Sequence, residues 1–254
     1  MKMSCSIRKG KFALSFLFAA ALLFDGNHLA AQTAPNPRDL SGGWERMDDV
    51  GGGSFGGILE KIIPKASLKP EFIEANRREA ARQKAGDVVA FSSKWCQTFR
   101  YPFFMQHSAA WRIVQTDDEM IQIPEIHTFA RHIYMDGRKH PDANKLVPSV
   151  NGHSIGRWEG NTLVVDTIGF TPGGATPGGG HIGADTRRTE KFVLLDSGKQ
   201  LRVTFTWEDP SIYLKPHTYD LSYYRSAADS YALEDYCHAD DPVQSGSVVQ
   251  QKQQ

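Results

Sequence analysis

Residues 151–170 read NGHSIGRWEGNTLVVDTIGF and hold the densest set of groups able to move protons or hold charge. An imidazole such as His153 changes charge near neutral pH. Asp166 can orient an imidazole or take a proton, and Arg157 can hold an anion or oxyanion. The spacing predicts that they meet. A two-residue turn at Gly160-Asn161 sets Glu159 opposite Thr162, Trp158 opposite Leu163, Arg157 opposite Val164 and Ile155 opposite Asp166. Side chains alternate along a strand, so His153, Ile155, Arg157, Val164 and Asp166 share one face, and Gly156, Trp158, Leu163 and Val165 take the other. Arg157 and Asp166 are then diagonal neighbours. That face has two readings. It lines a barrel mouth, with His153, Asp166 and Arg157 as catalytic groups, or it is a wet outer wall whose ion pair adds little stability. A three-residue turn would move Asp166 off it.

The segment RHIYMDGRKHP at 131–141 is the second such cluster. Asp136-Gly137 predicts a hairpin with Met135 opposite Arg138 and Ile133 opposite His140. Arg131, Ile133, Arg138 and His140 would share a face, with His140 at a rim because Pro141 ends the return strand. Arg131, Tyr134, His140 and His181 are therefore assigned to substrate binding, and Arg138 and Lys139 to a solvated tip. No histidine pair has the close spacing of a metal site, such as H-E-x-x-H. A metal would have to be assembled from His140, His153 and His181, with Glu125 or His127; no cofactor is expected. His28 leaves with the first 31 residues, and His107, His127, His132, His217 and His238 read more readily as ordinary surface or core residues. There is no G-x-S-x-G elbow and no Walker lysine, and the glycine-rich stretch 51–57 reads as a loop. Glu208-Asp209 ends a strand with side chains on opposite faces, so the pair is better suited to capping a turn than to acid/base work.

The elements that must position these groups are mostly strands. Trp111–Gln115, Met120–Ile123, Thr128–Met135, Ser154–Trp158, Thr162–Ile168, Lys191–Leu195 and Leu201–Trp207 are candidates, several separated by turn signals. No alternation of strand and helix is present, which argues against a doubly wound nucleotide-binding fold. One helix is predicted over about residues 70–85, with Pro70 in its first turn, Arg82 and Lys84 near its end and Gly86 stopping it. Its apolar set is thin, as in a cover. TPGGATPGGG at 171–180 predicts a loop without regular structure. The expected fold is mainly β: an antiparallel lipocalin-like barrel spanning 32–239, with one covering helix and a disordered tail at 240–254.

The chain has 254 residues, balanced at 29 basic and 29 acidic groups. Its first 31 residues read as a signal peptide. Lys2, Arg8, Lys9 and Lys11 precede an apolar run from Phe12 to Phe24, too short for the roughly 20 residues of a membrane span, and Leu29-Ala30-Ala31 offers a cleavage site. Cleavage removes those four basic residues and Asp25, leaving 25 basic and 28 acidic groups, a net charge of −3. That balance excludes a protein built to coat nucleic acid. Cys5 leaves with the signal. Cys96 and Cys237 remain, and in a periplasmic or secreted protein a disulfide between them is the expected reading, with buried free thiols as the alternative.

The motifs RHIYMDGRKHP and GHSIGRWEGNTLVVDTIGF together resemble those of a widespread group of exported bacterial proteins. The resemblance covers about residues 90–240, through EKF at 190–192 and EDP at 208–210. The group has aspartate where Asn161 stands, and a proline-and-glycine pattern where this chain reads QTFRYPFFM after Cys96. Gly43-Trp44 resembles the G-x-W opening of lipocalin-like barrels. The group lends no mechanism. The expected function is that of an acid/base enzyme, an isomerase, lyase or cyclase, acting on a small, partly aromatic molecule in the barrel. The alternative is a non-catalytic binder of such a ligand. The expected partner is thus a small molecule, with no nucleic acid and no membrane span after cleavage.

Overall fold

The alternating pattern after residue 110 folds into strands. The computed structural model describes residues 36–47, 62–85, 105, 110–124 and 130–226, which fall within one compact unit, Ala34–Gln254. The expected signal peptide, the glycine-rich stretch 51–57, the tail 240–254 and the Cys96–Cys237 pair lie outside the described residues, as do His107, Glu125, His127 and His238. In chain order the elements are β1 (Gly42–Arg46), α1 (Pro70–Lys84), β2 (Trp111–Gln115), β3 (Glu119–Pro124), β4 (Arg131–Tyr134), β5 (His153–Glu159), β6 (Thr162–Ile168), β7 (Gly174–Thr176), β8 (Gly180–Ile182), β9 (Arg187–Leu195), β10 (Gln200–Glu208) and β11 (His217–Arg225). All except β7, β8 and α1 form a closed, mostly antiparallel barrel in the order β1-β2-β3-β4-β5-β6-β9-β10-β11, which returns to β1. The mainly β, lipocalin-like barrel expected from the sequence is therefore present.

One junction departs from the expected meander. β4 and β5 run parallel, Ile133 beside Ser154 and Tyr134 beside Ile155. The Asp136-Gly137 hairpin does not form. Instead, residues 135–152 carry the chain back along the barrel, because a parallel neighbour can only be reached by a crossover. Asp136 accepts hydrogen bonds from its near neighbour Arg138, from backbone N–H (3.1 Å) and side chain alike. The local turn signal was real, but no strand returns from it. The crossover is fastened beyond the end of β6: Ser149 N–H donates to the Gly169 carbonyl (3.0 Å) and Thr171 N–H to the Ser149 carbonyl (2.9 Å).

The β5–β6 hairpin forms in the expected register, Glu159 with Thr162 through Ile155 with Asp166. Gly160 has φ +60°, the left-handed conformation its tight turn requires. Tight connections such as this one occupy one end of the barrel. The opposite end carries the longer ones, 169–186 and 209–216. There TPGGATPGGG is more ordered than its composition implies. It builds β7, a short 3-10 turn and β8 as a small hairpin. Side chains with fixed partners hold it. The Tyr213 hydroxyl donates to the His181 carbonyl (2.7 Å) and accepts from the His181 N–H (3.0 Å). The Asn76 side chain on α1 donates to the Gly179 carbonyl (2.7 Å), and the His217 ring donates to the Pro177 carbonyl (2.9 Å). Gly178 has φ +70°, and a Cβ there would stand 2.3 Å from the Pro64 carbonyl. Asp209 caps the 209–213 turn as expected, accepting from Ser211 N–H (2.9 Å). α1 covers this end with one apolar contact, Phe72 on the core.

The inward faces fill the barrel. Trp44, Trp111, Trp207, Phe192, Phe205 and Tyr223 are fully buried. Among them sits a charged group no solvent reaches. Arg131 on β4 donates to Glu190 on β9 at 2.6 and 3.2 Å. It also donates to Gln122 (2.9 Å), Thr167 (2.9 Å) and Ser154 (3.1 Å). All five of its N–H groups thus have acceptors. Arg188 also pairs with Glu190 (3.1 Å) and lies against the Phe170 and Trp207 rings. Removing one partner of a buried ion pair strands the other charge, at about 3–5 kcal/mol. Glu190→Ala is therefore expected to lower unfolding free energy by about that amount in urea titrations, whereas Glu159→Ala at the exposed Arg157 pair should change it by under about 1 kcal/mol.

Burial holds the His181 and His217 imidazoles below their ordinary pKa. The unfolded chain then binds protons that the folded chain refuses. Stability from these groups is complete above about pH 6.5 and falls as the pH drops towards their folded values. Thermal unfolding temperature is expected to fall between about pH 6.5 and 5, and less steeply in His217→Gln.

Candidate functional site

The face bearing His153, Ile155, Arg157, Val164 and Asp166 is the outer face. Ser154 and Thr167, which point the other way, hydrogen bond to each other inside the barrel (3.0 Å). An outer face would ordinarily be wet, yet Asp166 is buried. Two groups close over it. Arg187, at the start of β9, donates from Nε to Asp166 Oδ1 (2.6 Å) and from its terminal nitrogen to Oδ2 (2.7 Å). His140, on the crossover, places Nε2 3.1 Å from Oδ2. His140 Nδ1 in turn lies 2.8 Å from His153 Nδ1.

These contacts set proton positions. The Asp166 carboxylate can only accept, so His140 carries its proton on Nε2 and donates it. His140 Nδ1 is then left as an acceptor, and His153 donates from its own Nδ1. The result is a chain, Asp166–His140–His153, that ends on the lone pair of His153 Nε2. Among the described residues nothing bonds to that atom. His153 is held below the ordinary imidazole pKa, first by burial, with the Arg138 charge acting in the same direction. Its ring also meets Tyr134, with centroids 5.3 Å apart. Neutral at pH 7, it can accept a proton.

The other expected site residues are dispersed. Arg157 stays on the same face as His153 but turns to Glu159, and its side chain is 63% exposed. Arg131, expected at a rim, points into the barrel interior, where its N–H groups are occupied by protein acceptors; the reason is that β4 alternates with Arg131 and Ile133 inward. His181 lies at the covered end, its ring 2.8 Å from Asn76 on α1. Thus His140, His153, Asp166 and Tyr134 come together, and Arg157, Arg131 and His181 do not join them. Among the described residues no three His, Cys, Asp or Glu side chains converge as a metal site.

Arg187 was not foreseen. It is diagonal to Asp166, because Asp166 pairs with Thr189 on β9. That register spans the long 169–186 connection, and no local signal sets it. Glu190, Arg188 and Gln122 were missed for a related reason. The alternation Arg188, Glu190, Phe192 marks one face of β9, but a charged face reads as solvated until its partners are known.

No protein-family model and no curated protein matches the chain.

The two causes of the His153 shift can be separated. Its imidazole is expected to titrate below pH 6.5 in NMR of histidine-labelled protein, and to titrate higher in Arg138→Gln, which removes a repelling cation. A midpoint that stays put in that variant would remove Arg138 from the electrostatics of the site.

Proposed function

We propose that the protein is an exported acid/base enzyme that acts on a small molecule, with His153 Nε2 as the proton-transferring atom. The carrying observation is the Asp166–His140–His153 hydrogen-bond chain. In this reading His140 and Asp166 act as positioning residues. When His153 takes a proton on Nε2, the imidazolium that forms is stabilised through His140 by the carboxylate, and the chain keeps the ring in one tautomer. Arg187 anchors the carboxylate at both oxygens, so the chain starts from a fixed point. In this reading the substrate lies against the outer wall beside Tyr134, because His153 is on the outer face of β5 and its ring meets Tyr134, and the barrel interior serves as scaffold. The isomerisations, eliminations and cyclisations that suit this site are those that begin with a proton removed by a base. Export rests on the basic, then apolar, then small-residue pattern of residues 1–31.

The test is a turnover screen of uncharged enolisable ketones, lactones and aryl esters against the wild-type protein. For any substrate turned over, His153→Ala is expected to lower kcat/KM by a hundredfold or more and Asp166→Asn by about tenfold, compared at temperatures where each variant is fully folded. Turnover that survives His153→Ala would refute the assignment. Ligands that bind beside His153 without chemical change would favour a non-catalytic binding protein.

A further inference from the structure

A small molecule beside His153 is held in position by a second contact remote from the base, and a charged group gives that contact direction as well as strength. Arg157, the residue the sequence offered, is at the far end of β5. It is four residue steps along the strand from His153, about 13 Å. Arg187 gives Nε and a terminal nitrogen to both oxygens of Asp166, and His140 stands between that carboxylate and His153 in the hydrogen-bond chain. Arg138 is placed differently. Its guanidinium lies 3.9 Å from the centre of the Tyr134 ring, and that ring packs on His153 at 5.3 Å. The three groups form a shelf of cation, phenol and imidazole along the outer wall. Asp136 takes Nε (2.9 Å) and one terminal nitrogen (2.6 Å) and so fixes the guanidinium's direction. The other terminal nitrogen has no acceptor among the described residues. The side chain is 47% exposed, so an incoming group can reach it. Its charge is felt at the His153 ring.

We propose that Arg138 is the anion-anchoring residue of this site, and that its ligands carry a carboxylate or similar oxyanion on a planar, apolar body. This rests on the acid/base reading for the position of the reacting atom. The free guanidinium edge supplies two N–H donors to an anionic oxygen. The body of the ligand then extends along the Tyr134 edge towards His153 Nε2. Asp136 limits the strength of the site, because it already neutralises part of the charge. That favours weak, exchangeable binding over capture.

Benzoate is a suitable probe, with benzamide as its uncharged counterpart. Each is titrated into full-length protein labelled with 15N-histidine, and the His153 ring signals are followed. Benzoate is expected to give a saturable shift, and benzamide at least tenfold weaker binding. Arg138→Gln should weaken benzoate at least tenfold and Arg138→Lys less so, while Arg157→Gln binds like wild type. Equal responses to benzoate and benzamide, no saturable response to benzoate, or unchanged affinity in a folded Arg138→Gln would each overturn the proposal. Benzoate binding reads the anchor, and loss of turnover in His153→Ala with Arg138 intact reads the acid/base assignment. Failure of the anchor and failure of the acid/base reading are therefore separate results.

Discussion

Strands that alternate in direction can close a ring only in even number, and this barrel has nine. One pair must be parallel, and here it is β4 with β5. The consequence reaches the candidate site directly. A parallel step needs a crossover long enough to return the chain to its starting end, and residues 135–152 do this along the outside of the wall. His140 lies on that crossover. Its contacts with Asp166 and His153 hold the crossover to the barrel and also make the proton chain. Without the parallel junction, His140 would stand on a short hairpin and Asp166 would be an ordinary surface carboxylate.

The apolar interior also encloses charge. Arg131, Arg188 and Glu190 lie wholly buried between aromatic rings, while the groups with free chemistry sit outside. Burying charge is costly unless every donor finds an acceptor, and the Arg131 fork finds all of them. This network ties β3, β4, β5, β6 and β9 together on the inside, behind the strands that present Asp166, His153 and Arg187 on the outside. The rigidity of one face supports the geometry of the other.

Closure at the opposite seam has its own device. The Trp44 indole N–H donates to the Leu40 carbonyl (2.9 Å), and the Arg225 guanidinium lies 4.4 Å from the Trp44 ring centre. Arg225 also donates to the Asp39 carbonyl (3.0 Å) and the Gly198 carbonyl (2.8 Å). One side chain at the end of β11 thus joins the lead-in, the start of β1 and the β9–β10 turn.

Much of this was legible in the residue order. Most strand positions between Trp111 and Trp207, the β5–β6 register and the face shared by His153 and Asp166 follow from period-two patterns and turn chemistry, and the helix from Pro70 from its end signals, all of which act over a few residues; the strand His217–Arg225 was not among the candidates. Which side of the shared face meets solvent does not follow from them. His153 and Asp166 alternate with Ser154 and Thr167, and both sets are polar, so the alternation alone does not say which set is inside. The decision came from Arg131 and Glu190, 59 positions apart, whose pairing drew Ser154 and Thr167 inward. Arg187 reached Asp166, and His140 reached both, only once barrel closure had fixed the β6–β9 register and the parallel β4–β5 step. Short-range sterics were sufficient to set elements and faces; the long-range demand for acceptors around buried charge, and the parity of a closed ring, set the site.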